Sequence, residues 1–508
     1  MNRYFNEKSN YDKYPVVNVP GMEEECRVGW RAISDRLEKD LSQIGKKVKV
    51  VVLECYQGVS DEEVVTALQS AFPASRWFFS ADAMKSPEQI DAILKQDITE
   101  DEIFGYMTRQ NMDCYFDGDK LPGIRSEIAA VTEGIVFVYG VGAAYVQPSY
   151  DLLVYADMAR WEIQMRFRRN EVSNVGISNR EERASLQYKR AFFVDWRICD
   201  RFKKKLMKKW DYVLDTNTAG NPKMATAKAI EAGLEKASRT PFRVVPFFDP
   251  GPWGGQWMKE VCDLDREVPN FAWCFDCVPE ENSLYLGFGD VRFELPSIDL
   301  VFAYPARLLG NPVYGRFGDE FPIRFDFLDT MEGGNLSLQV HPLTQYIQEK
   351  FGMHYTQDES YYMLDAAEDA TVYLGVKEGI EPEEMIDALN EAQESGCFDA
   401  EKYVGRYPVK KHDHLLIPAG TIHCSGTNGM VLEISATPYI FTFKLWDWGR
   451  LGLDGRPRPI NIKHGQEVIQ WNRTESWVRK ENKGTPHRTH HPKPFKSFSR
   501  TIPRKVNV

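Results

Sequence analysis

Four residues in the second half of the chain have the types and spacing of a metal site. The segment NLSLQVHP, residues 335–342, alternates apolar and polar residues. In a strand that alternation places Ser337, Gln339 and His341 on one face and Leu336, Leu338 and Val340 on the other. A polar face on a buried strand needs partners. Glu359 opens the next strand-like run, in QDESYYMLDA, and LLIPAGTIHC carries a Pro-Ala-Gly turn just ahead of His423. Such a turn lets a strand re-enter a barrel with the histidine pointing inward. Two imidazoles, one carboxylate and one amide oxygen suit zinc or a similar divalent ion and leave a coordination position open for water or substrate. That is a catalytic pattern rather than a closed structural one. Each residue alone is ordinary; the set is informative.

The elements that must position these residues change character near Arg239. Before it, KVKVVVLE (47–54) reads as a strand buried on both faces. The loop CYQGVS and an acidic-headed helix, DEEVVTALQSAF, follow. GIVFVYGVGAAYV (134–146) reads as a second buried strand. YADMARWEIQMRFRR (155–169) and part of 221–238 read as helices. This is an α/β pattern. After Arg239, Pro, Gly and aromatic residues appear, and short alternating strands follow one another. The expected architecture there is an all-β barrel interrupted by a helical insert at 381–396. The expected units are an α/β domain at 1–240, a barrel domain at 241–475 and a basic, disordered tail at 476–508. From Arg479 onward there are nine Lys or Arg and one acid, with no apolar period. The tail histidines His487, His490 and His491 read as solvated.

The loop after the first strand stands where a P-loop would be. A working P-loop needs Gly-x-x-x-x-Gly-Lys-Ser/Thr, with backbone amides and a lysine around the phosphates. Here Leu53 occupies the first glycine position and Val59 follows Gly58. The loop has no lysine, so the α/β domain is expected to be a degenerate, P-loop-kinase-like unit without phosphate transfer.

A net charge of −11 excludes general binding to nucleic acid or an anionic membrane. No run is long enough to span a bilayer. Nine cysteines without a framework fit reduced thiols and a cytoplasmic location. Cys274 and Cys277, the one CxxC, read as strand cysteines. The oligomeric state is left open.

NLSLQVHP, the Glu359 segment, IPAGTIH, VLEIS and DWGR occur in the order and spacing of type I mannose-6-phosphate isomerases, which are zinc cupins. PFFDPGPWGGQWMKE resembles that family's WGG segment. The resemblance covers about 242–450. It implies one zinc ion (Zn2+) per chain, or another divalent metal, held by Gln339, His341, Glu359 and His423. It implies a hexose 6-phosphate substrate and interconversion of mannose 6-phosphate with fructose 6-phosphate. Glu433 matches a proposed proton carrier, and Lys444 falls where the family has its catalytic arginine. Ser337 falls at a phosphate contact, with Arg450 offering a cation in the same region. Two positions depart from the pattern. Gln357 replaces a lysine two residues before the ligand glutamate, and Lys444 lacks the arginine's planar fork. The family's usual second cupin unit is not expected in the 58 residues after Arg450. These departures keep open a weakly active or purely sugar-phosphate-binding cupin with a regulatory kinase-like domain. YGVGAAYV and YADMARWEIQMRFRR make the first half resemble the uridine-kinase-like half fused to some bacterial phosphomannose isomerases.

Overall fold

The computed structural model describes residues 8–439, 441–451, 458 and 460–482. The first half is built on a seven-stranded sheet. Its spatial order is Cys26–Val28, Lys223–Thr226, Tyr212–Asp215, Leu152–Asp157, Val48–Cys55, Gly134–Gly140 and Arg76–Phe79. The last five are mutually parallel, and the first two add an antiparallel edge. Val51, Val52 and Leu53 are fully buried at its centre. The acidic-headed helix runs Asp61–Ala71, and the Ser60 hydroxyl caps it by accepting from Glu63 N.

Two expected elements are corrected. The strand read as 134–146 ends at Gly140, because Gly142 takes φ 78°, a left-handed turn into the short helix Ala143–Val146. A side chain there would collide with the Phe116 ring. Glu54 fixes this turn by accepting from Gly142 N (2.7 Å) and Ala144 N (2.8 Å). The helix read as 155–169 is instead the end of the strand Leu152–Asp157 followed by the helix Arg160–Arg168. Its start, Tyr155–Asp157, continues the apolar run from Leu152 and is buried throughout, as a central parallel strand requires.

The second half contains two antiparallel sheets facing each other, the barrel form expected of a cupin. The larger has the order His414–Ile417, Asp358–Ala366, Gly429–Ala436, Ile323–Asp329, Trp273–Cys277, Phe247–Asp249. The smaller has the order Val404–Pro408, Thr371–Val376, His423–Ser425, Leu338–Val340, Phe443–Trp446. The helical insert is Pro382–Ser395. In the WGG segment the chain passes so close to the Asp329 carboxylate that a Cβ on Gly255 would sit 2.1 Å from it.

The halves are knitted together. Val16–Asn18 pairs in parallel with Ser283–Phe288, which also pairs with Val291–Pro296. The expected junction near 240 falls just past the helix Ala227–Ala237. Lys203, 1% exposed, bridges Asp157 of the first half (2.7 Å) and Asp299 of the second (2.9 Å). A buried ion bonded on both sides costs several kcal/mol to strip of a partner. Of the expected tail, residues 476–482 are ordered in short helical turns, with Val478 buried. Residues 483–508, including His487, His490 and His491, lie outside the described residues. All nine cysteines are unpaired. Among the described residues no helix is long and apolar enough to cross a membrane.

Candidate metal centre and substrate cavity

His341, Glu359 and His423 converge between the two sheets, with ligand atoms within 4.8 Å of one another and all three side chains buried. His341 follows the strand Leu338–Val340, His423 opens its neighbour in the smaller sheet, and Glu359 comes from the facing sheet. Gln339 is the register partner of His423. Its amide lies 3.2 Å from His423 Nε2.

The surroundings decide which nitrogen faces inward. His341 Nδ1 lies 2.9 Å from the Phe441 carbonyl oxygen, and His423 Nδ1 lies 2.9 Å from that of Thr421. A carbonyl only accepts, so each Nδ1 carries a hydrogen, and in the neutral imidazole each Nε2 keeps its lone pair. Both lone pairs are aimed at Glu359, at 2.8 Å from Oε2 and Oε1 respectively. Oε1 makes no hydrogen bond among the described residues despite complete burial. Lone pairs meeting a carboxylate inside a protein require positive charge between them, supplied by a proton or a metal ion. Turning the Gln339 amide about its last bond brings its oxygen to the same point. The donor set therefore fits a divalent cation, with histidine orientation set by backbone carbonyls.

With no ion between them, the carboxylate and the imidazoles favour each other's charged forms, so a divalent cation would replace the Nε2 protons. Burial alone would raise the Glu359 carboxyl, but the two imidazoles overcome it and hold it well below the ordinary range. Burial would lower His341, yet the Glu359 charge raises it.

A cavity of about 600 Å3 opens beside this centre. Ser337, Gln339, Gln357, Glu433 and Lys444 all line it. Gln357 is fully engaged: Nε2 donates to Glu359 Oε2 (2.9 Å) and Ser435 (3.2 Å), and Oε1 accepts from Phe441 N (2.9 Å). Glu433 is buried, accepts from the Ser435 hydroxyl (3.0 Å), and is pushed well above the carboxylate range by burial and by the facing Glu359 and Asp326. Lys444 is pushed down to about 8 by burial and by the guanidinium of Arg458, with Asp447 opposing and Arg450 adding to the depression.

Arg450, expected beside the substrate phosphate, does not line the cavity. Its guanidinium is taken up by Asp447 Oδ1 (2.7 Å) and the Asn335 carbonyl (2.5 Å). Arg458, not singled out in the sequence, lines the cavity instead, anchored by Asp447 at 3.0 Å and 3.1 Å. Ser337 donates to the same Asp447 at 2.6 Å. Arg458 lies outside the motif block ending at DWGR, so only the fold brings it here. Three more residues were missed. Asp326, register partner of Glu433, is buried with Oδ1 unbonded and is pushed up to about 7 by burial, with Glu359 and Glu281 adding and Arg324 opposing. Gln164 and Tyr188 reach the cavity from the first half.

Comparison with known proteins separates the halves. The second half is similar to mannose-6-phosphate isomerases. It is 26% identical over 234 residues to mannose-6-phosphate isomerase ManA of Bacillus subtilis, covering 44% of this chain and 66% of that protein. The chain thus spans just under two thirds of that relative's length. The mannose-6-phosphate isomerase of Streptococcus mutans is 26% identical over 237 residues, covering 44% of this chain and 68% of that protein. A crystal structure of mannose 6-phosphate isomerase from Bacillus subtilis superposes with a TM-score of 0.38 at 22% identity, over 45% of this chain and 68% of that one. Within the half read from the sequence as uridine-kinase-like, 1–240, residues 29–239 match a family model described as "Domain of unknown function (DUF8485)".

Proposed function

We propose that the second half is a metal-dependent aldose–ketose isomerase that interconverts mannose 6-phosphate and fructose 6-phosphate, with zinc as its metal. The observation that carries this reading is the inward-facing Nε2 pair of His341 and His423 around Glu359, beside a cavity holding Glu433 and Lys444. The similarity to mannose-6-phosphate isomerases supports mannose 6-phosphate as the substrate.

Gln339, His341, Glu359 and His423 would hold the ion. A divalent cation there supplies Lewis-acid polarisation of a carbonyl. The chain's own residues do the rest. Glu433 carries a proton between C1 and C2 of the open-chain sugar, from a position buried away from solvent. Lys444, half-buried on the strand beside Gln339, offers a cation for oxyanion charge. Arg458, anchored by Asp447, binds the phosphate dianion, and the Ser337 hydroxyl joins it by turning from Asp447 to the phosphate. Gln357 cannot titrate and has no free donor, so it serves as a strut between Glu359 and Ser435.

Residues 29–239 we read as a kinase-like α/β unit without phosphate transfer. A central first strand followed by a Gly-containing loop and helix supports the kinship, and the missing lysine after Gly58 supports the loss.

The Gln357 and Lys444 replacements favour one second reading, a cupin that binds a hexose 6-phosphate with little turnover. A coupled assay separates the two. Metal-loaded protein should form fructose 6-phosphate from mannose 6-phosphate at ordinary enzyme rates. Tight binding without turnover would establish the second reading.

A further inference from the structure

The cavity at the metal centre is not built by the second half alone. Gln164, on the helix Arg160–Arg168, and Tyr188, on Ala184–Arg190, form part of its wall. Both converge on one cavity carboxylate. Gln164 Nε2 donates to Glu281 Oε2 at 2.5 Å, and Tyr188 Oη donates to Oε1 at 3.3 Å. Each carboxylate oxygen therefore has one donor from the first half and keeps capacity to accept another hydrogen bond.

The first half has given up the place where such a fold binds its own ligand. Open parallel sheets hold ligands at the C-terminal ends of their strands. Here the loop after the central strand is filled: Tyr56 and Gln57 are buried, and the Gly58 carbonyl accepts from Arg166 at 2.8 Å. Asp157 and Asp215 close the next two strands. The first is bonded to Lys203, which reaches Asp299. The second accepts from Glu294 N at 3.0 Å. That edge is sealed against the second half, and the helix leaving it carries Gln164 into the isomerase cavity.

We propose that residues 29–239 act as a wall of the catalytic cavity, with Gln164 and Tyr188 as positioning residues that hold Glu281 to accept hydroxyl groups of the hexose phosphate chain. This rests on the isomerase reading above. A half-buried carboxylate held by two fixed donors selects for a hydroxylated chain, because a partner lacking the hydroxyl displaces water from its remaining lone pairs and returns no hydrogen bond. The phosphate, held by Arg458 and Ser337, is recognised separately.

The test uses the full, metal-loaded chain. Three variants are compared: Tyr188→Phe, Gln164→Leu and the double variant. The double variant should raise KM for mannose 6-phosphate about tenfold, the scale of a lost hydrogen bond to a charged group, with kcat nearly unchanged. Tyr188→Phe, which keeps the ring, should give a smaller rise. Metal content, melting temperature and the Kd for inorganic phosphate should match the wild type, since phosphate alone lacks the chain hydroxyls. Glu281→Gln, which keeps one acceptor, should lose less affinity than Glu281→Leu. An unchanged KM in the double variant overturns the proposal. So does a parallel loss of inorganic phosphate affinity and melting temperature, which would mark a purely structural joint. Should the wild type bind fructose 6-phosphate but not isomerise it, the isomerase reading falls. The wall then stands or falls on the Kd for fructose 6-phosphate in the same variants. A wild type that binds no hexose 6-phosphate overturns both.

Discussion

Gln339 and Lys444 are register partners on adjacent antiparallel strands of the smaller sheet. Residues directly opposite in an antiparallel pair share a face, so the lysine stands beside the amide of the ligand set and both border the cavity. A lysine placed to meet oxyanion charge should matter for turnover rather than for folding. Lys444→Met should lower kcat by orders of magnitude with metal still bound, and Lys444→Arg should keep or raise activity. Steady-state kinetics with parallel metal analysis checks this, and full turnover by Lys444→Met would exclude the role.

The two histidines make a direct test of the metal centre. His341→Ala or His423→Ala removes one inward lone pair and leaves Glu359 buried without its partner. Either variant should lose most bound metal, measured by elemental analysis against about one equivalent in the wild type, the expectation for a single ligand set. Near-stoichiometric metal in both variants would rule the assignment out.

Arg458 and Arg450 are both tied to Asp447, but only Arg458 lines the cavity. Arg458→Ala should chiefly raise KM for a hexose 6-phosphate, because phosphate binding is felt alike in ground and transition states. Arg450→Ala removes the contacts to Asn335 and Asp447, so its effect should fall on stability. A larger KM rise in Arg450→Ala than in Arg458→Ala would reverse this ranking.

Asp101 and His464 join the two halves at 3.1 Å, and His464 Nδ1 also meets the Tyr346 hydroxyl at 2.8 Å. Burial opposes ionisation of Asp101, but the bond to His464 and the Ile103 and Phe104 amides hold its carboxyl down at about 2. A carboxyl depressed in the folded state stabilises the fold above its unfolded pKa and loses that contribution as pH falls toward the folded value. Asp101→Asn should therefore be less stable than wild type at neutral pH. Discounted for the partial exposure of the pair, the gap should be on the order of 1 kcal/mol, and it should shrink between about pH 4 and pH 2. Urea unfolding across that range measures it; a gap that ignores pH would mean that packing, not charge, carries the effect.

That His341, Glu359 and His423 meet was legible in the sequence because the information is local. Alternation within residues 335–342 dictates which side chains share a face, and the turn at 418–420 dictates how His423 re-enters. The helical insert and the α/β start were legible for the same reason. The second buried strand was overextended to 146 because apolar periodicity does not register the left-handed turn that Gly142 takes under Glu54.

The rest depends on partners far apart in the chain. Arg450 and Arg458 have equal claims as residue types. Only the packing of Asn335 and Asp447 against Arg450 decides which guanidinium meets the cavity. Glu281 and its two donors are separated by 117 and 93 residues. Nothing in either segment's own periodicity encodes that meeting. Residue pattern determined which donor side chains meet at the candidate metal centre, since strand geometry fixes side-chain direction residue by residue. Tertiary packing decided the walls of the cavity, since those are made where separately patterned elements are brought together by burial.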